Sequence, residues 1–85
     1  MTLKKEKSFD DLIADADAFF MAGIQLENKK QFKEAKLQFQ KAGQLYFEAH
    51  QTVDDNVLKN TAYKKYKEAE SYFYAMNYRK TIERW

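Results

Sequence analysis

Apolar residues return every three or four places along this chain, in three runs separated by polar stretches. The first is Phe9, Leu12, Ile13, Ala16, Phe19, Phe20, Gly23 and Ile24. The second is Phe32, Ala35, Phe39, Ala42, Tyr46, Ala49 and Val53, and the third is Leu58, Ala62, Tyr66, Ala69, Phe73 and Met76. This is the period of a helix with one face turned inward, and it predicts three helices, over about 9 to 27, from about 32, and from about 55. The punctuation agrees with that division. Ser8 suits an N-cap, and Asp10 and Asp11 follow in the first turn, where carboxylates meet the positive end of the helix dipole. Asn28 suits the left-handed conformation that ends a helix, and Lys29 and Lys30 suit its negative end. Asp54, Asp55 and Asn56 interrupt the second run and offer caps for a third helix. The first connection is tight, so the second helix should pack antiparallel to the first. Ala35, Ala42 and Ala49 are spaced seven apart, as are Ala62 and Ala69, and small residues at that interval let a neighbouring backbone come close.

Composition narrows the class to all-α. The 85 residues include no proline and two glycines, so little breaks a helix. A hydrophobic share of 45% with 16% aromatics is enough for a folded core. A chain this short buries only about two-thirds of its unfolded surface, so one domain uses all of that core. The expectation is an antiparallel three-helix bundle with a long third helix over 9–76, a basic N-terminus over 1–8 and an extension of the third helix over 77–85. There is no cysteine and no apolar run of bilayer length, and the basic start Met1 to Lys7 leads into no signal-peptide core. A cytoplasmic location is expected.

Candidate chemistry changes this picture little. The chain has one histidine, His50, two serines, Ser8 and Ser71, and no glycine-rich phosphate loop. No catalytic residue, cofactor or metal site is expected. Among Asp10, Asp11, Asp15 and Asp17 only Asp11 and Asp15 share a helix face, and Asp54-Asp55-Asn56 lacks the spacing of a calcium loop. Lys29, Lys30, Lys33 and Lys36 gather at the first turn, and Lys59, Lys64, Lys65 and Lys67 along the third helix, but acids alternate with them. The net charge of +2 is far below that of phosphate-binding domains, so nucleic acid is a poor partner.

The stretch QFKEAKLQF, Gln31 to Phe39, returns as KYKEAESYF, Lys65 to Phe73. A shift of 34 carries Gln31 onto Lys65 and Phe39 onto Phe73, and 34 is the tetratricopeptide period. The first hairpin resembles that motif through Phe19, Gly23, Ala35, Phe39 and Ala42. A second repeat would need a helix between about 49 and 62, where Asp54-Asp55-Asn56 places caps instead. The other account places KYKEAESYF inside one long third helix.

A hairpin of this kind closed by a third helix resembles the MIT (microtubule interacting and trafficking) domain. The resemblance rests on the small residues of helix 1, on QFKEAKLQFQKA opening helix 2, and on Tyr66, Ala69 and Glu70 in helix 3. It departs from the family at Asn28, where glycine is frequent, at Glu68, where arginine is, and at Lys67, where an acid often meets a basic peptide. The resemblance implies a non-catalytic adaptor whose inter-helix grooves accept a helical or extended tail of a partner, commonly an ESCRT-III protein. Tyr66, Glu70 and Phe73 would line the groove against helix 2. It also implies a setting in membrane trafficking or autophagy, with endosomal or autophagic membranes reached through partners.

One surplus remains. Tyr63, Tyr74, Tyr78, Ile82 and Trp85 fall on a second stripe of helix 3, rotated away from the alanine face. Either that stripe packs on helix 1, or its far end outruns the hairpin and offers an apolar patch to a partner or to a second copy. The latter, a tetratricopeptide-like scaffold fragment or homodimer, is the alternative function.

Overall fold

The computed structural model describes residues 7–83, with side chains through Tyr78, and it is the expected all-α bundle. Helix α1 spans Phe9–Asn28, α2 Phe32–Thr52 and α3 Asn56–Glu83, the last a single unbroken rod of 28 residues. No second hairpin interrupts it, so the repeated stretch lies within one helix.

Local chemistry sets two of the boundaries. The Ser8 hydroxyl accepts from the Asp11 amide at 3.2 Å, and the Asp55 carboxylate accepts from the Val57 and Leu58 amides at 2.9 and 3.0 Å. The end of α1 departs from expectation. Asn28 is the last helical residue, and the left-handed backbone belongs to Lys30, with φ at 62°. The Gln31 amide reaches back to the Leu26 carbonyl and the Lys30 amide to that of Glu27, both at 2.9 Å. These paired reverse bonds form a Schellman turn, whose geometry fixes which position becomes left-handed whatever its side chain.

The core is a ladder of three layers. At one end Leu12, Ala49 and Ala62 meet; Ala16, Ala42, Tyr46 and Ala69 form the middle; Phe32, Ala35, Phe39 and Met76 close the other end. Each layer pairs one small residue of α2 with Ala62, Ala69 or Met76 of α3, an interval of seven that keeps the antiparallel rods in register. Leu58 lies outside the last layer and is exposed, although the third run placed it inside. Val53 ends α2 as an extended cap residue.

Helix α2 packs along both neighbours, whereas α1 and α3 meet through long side chains. Phe20 and Tyr72 make an edge-to-face pair with centroids 5.0 Å apart, and the Lys65 ammonium stands 3.8 Å from Asp17. The Tyr46 hydroxyl donates to the same carboxylate from α2. Among the described residues no helix is long and apolar enough to cross a membrane.

Candidate functional site

A groove of about 320 Å³ runs between α2 and α3. Its α2 wall is Gln40, Gln44 and Phe47, its α3 wall Tyr66, Glu70, Phe73 and Tyr74, and Gly43 lies in the floor. Tyr66, Glu70 and Phe73, the trio drawn from the resemblance, are thus brought together on one side of it. The lining combines aromatic faces with amide and carboxylate tips, a largely apolar surface carrying a few polar groups, as ligand clefts have.

Helical spacing explains the walls. Phe39 and Ala42 point into the core, and residues about 100° farther round the helix stand at the seam with α3. Gly43 and Phe47 occupy that edge of α2; Tyr66, Glu70 and Tyr74 occupy the facing edge of α3. Phe47 and Tyr66 bridge the seam with ring centroids 5.1 Å apart, and Tyr63 continues the row between Tyr66 at 5.8 Å and His50 at 5.3 Å. The His50 ring also pairs with the Lys59 carbonyl at 3.1 Å, which fastens the α2 terminus to the start of α3.

Gly43 is the residue that leaves the floor open. A Cβ there would find the Ala69 Cβ at 3.8 Å and the Tyr66 ring at 3.9 Å, both ordinary contacts. No close backbone approach requires glycine at this position, and glycine in a helix interior costs up to about 1 kcal/mol relative to alanine.

The charged groups are arranged unevenly. Glu70 receives Lys67 at 2.9 Å and the Tyr66 hydroxyl at 3.4 Å, and its charge, with burial and that hydrogen bond, raises the Tyr66 phenol above its ordinary value. Lys67 is raised in turn by its bond to Glu70. Toward the start of α2 the groove continues into a second hollow of about 330 Å³, which shares Gln40 and Phe73 with the first. Phe32, Leu37 and Met76 give it an apolar lining, and Lys33 and Lys36 stand on its rim. The Lys36 ammonium lies 5.1 Å from the centre of the Phe73 ring.

The second stripe is not buried on α1. Tyr63, Tyr74 and Tyr78 are exposed, Tyr78 most of all at 73%, whereas Lys65 and Tyr72, on other faces of α3, do reach α1. Tyr74 belongs to the groove wall, edge-to-face on Phe73 at 5.3 Å. The side chain of Ile82 and all of Trp85 lie outside the described residues.

Three of these acids have structural partners. Asp15 pairs with Lys7, Asp17 with Tyr46 and Lys65, and Asp55 caps α3. Among the described residues no cluster of three or more His, Asp or Glu side chains could hold a metal ion. Gln40, Gly43, Gln44 and Phe47 are the residues of the first hollow that the sequence reading did not single out. A glycine inside a helix beside an alanine stripe, and an aromatic one turn from the buried Tyr46, are the signals that mark two of them. No protein-family model matches this chain, and neither a curated protein nor a solved structure matches it closely enough to show kinship.

Proposed function

We propose that this chain is a non-catalytic protein-interaction domain that holds a short segment of a partner in the groove between α2 and α3. The observation that carries this reading is the open aromatic groove over Gly43. Phe47, Tyr66, Phe73 and Tyr74 line it from two helices, and Phe47 and Tyr74 remain exposed although the alanine ladder has already closed the core. Aromatic side chains at a seam of this kind supply large contact area with few rotors to immobilise, as interface anchors do. The mode is a helix or extended strand laid in a groove.

The resemblance to MIT domains supports an adaptor role in membrane trafficking or autophagy, with the tail of an ESCRT-III-like protein as one such segment. A library of short random peptides, panned against the folded chain, tests the groove. Binders should lose affinity roughly tenfold in Gly43→Leu, which fills the floor, and in Tyr74→Ala, which removes an exposed wall; a tenfold loss is about 1.4 kcal/mol, within the range of interface anchors. Binders that ignore both changes would exclude the groove. The homodimer alternative rests on the exposure of Tyr78 and predicts a mass that rises with concentration and returns to the monomer value when the chain is shortened before that residue.

A further inference from the structure

We propose that the segment held in the α2/α3 groove is acidic, with an apolar side chain seated over Gly43 and a carboxylate over Lys33 and Lys36. The inference rests on the reading of the groove as a peptide site and adds the chemistry of its occupant.

Charge complementarity is the argument. Of the charged residues in the two connected hollows, Glu70 is already neutralised by Lys67 at 2.9 Å and by the Tyr66 hydroxyl. Lys33 and Lys36 have no carboxylate within ion-pair distance among the described residues. Lys36 is held against the Phe73 ring at 5.1 Å, so its ammonium stands on the groove wall where a bound segment would meet it. The charge left for a ligand is therefore positive and lies at one end. A basic tail entering there would meet two unscreened ammonium groups; an acidic one would form charge-assisted bonds.

The geometry also gives the occupant a spacing. Gly43 and Lys36 are seven residues apart on α2, about 10 Å along the helix axis. An acid and an apolar anchor separated by that distance lie seven positions apart on a helical ligand, or about three apart on an extended one.

The two terminal stretches of these 85 residues are basic, not acidic. Residues 1–7 carry Lys4, Lys5 and Lys7 against Glu6, and residues 79–85 carry Arg79, Lys80 and Arg84 against Glu83. Two of the α1 acids, Asp15 and Asp17, are already engaged, the first with Lys7 and the second with Tyr46 and Lys65. The occupant favoured by these observations is a different protein.

The test is the composition of the selected peptides and the response of their affinity to charge. Enriched sequences should be acidic, with an acid three or seven places from an apolar residue. The double variant Lys33→Gln/Lys36→Gln should weaken them by roughly tenfold and flatten their salt dependence, as expected for losing two partly exposed charge contacts. Both lysines are on the rim, so the variant should keep the helical circular dichroism of the parent. Neutral or basic peptides that are still lost in Gly43→Leu would keep the groove and overturn the acidic occupant. Peptides indifferent to both Gly43→Leu and Tyr74→Ala would overturn the groove itself, and this inference with it. Self-association abolished by Gly43→Leu would give the groove to a second copy and equally overturn the proposal.

Discussion

The backbone of Gly23 lies directly against the ring of Phe39, so that a Cβ at Gly23 would stand 2.6 Å from Cε1 of that ring. Phe39 has no exposed surface and is fixed between Phe20 at 5.4 Å and Tyr72 at 5.0 Å, so it has nowhere to move. Gly23→Ala should therefore destabilise the domain by about 1 to 3 kcal/mol of overpacking, despite the better helix propensity of alanine. Urea unfolding would measure it. Adding Phe39→Leu to Gly23→Ala should cost less than the sum of the two single changes, because the smaller side chain makes room for the new methyl.

Gly43 gives the opposite sign. Its Cβ position has only ordinary contacts, so Gly43→Ala should stabilise α2 by about 0.5 to 1 kcal/mol. The same methyl enters the groove floor and should reduce peptide affinity. A rise in melting temperature accompanied by weaker binding is the expected pair of results, and unchanged binding would count against Gly43 as the floor.

Lys30 holds a left-handed backbone with an ordinary side chain, at a cost of roughly 1 to 2 kcal/mol for a residue other than glycine. Lys30→Gly should recover about 1 kcal/mol of it in thermal or urea unfolding. Asn28→Gly, in the last turn of α1, should destabilise instead.

Tyr46 makes stability depend on alkaline pH. Burial first, and then its bond to Asp17 and that carboxylate's charge, push the phenol well above the tyrosine range. The folded state thus holds a proton that the unfolded chain releases near pH 10. The stability from this linkage is complete below that pH and is lost as pH climbs past it. Tyr46→Phe should cost about 1 kcal/mol at neutral pH through the lost hydrogen bond and should flatten the alkaline decline. Phenolate absorbance during a pH titration should show one tyrosine ionising after the others, together with unfolding.

The inward faces of the helices were legible because burial imposes its period on sequence: Ala35, Ala42 and Ala49, seven apart, mark the ladder by spacing alone. The caps Ser8 and Asp55 were legible for a similar reason, since their side chains do the capping. Lys30 was not, because a Schellman turn is closed by backbone bonds and leaves no demand on the side chain it bends. Leu58 fits the third run by spacing, but α2 stops at Thr52, too short to cover it, and it stays exposed. The groove was half legible. Tyr66, Glu70 and Phe73 came from the resemblance, whereas Gly43 and Phe47 sit at the edge of a stripe, where a residue belongs equally to the interior and to the surface.

Because only the middle helix lies against both others, the three rods are arranged as a stack and not as a closed ring. In a ring every member is clasped from two sides, and prying one away disturbs the rest. Here the outermost rod reaches its far neighbour through side chains, among them the Phe20–Tyr72 ring pair and the ion pair of Lys65 with Asp17, so truncating these should loosen that rod before it disturbs the opening hairpin.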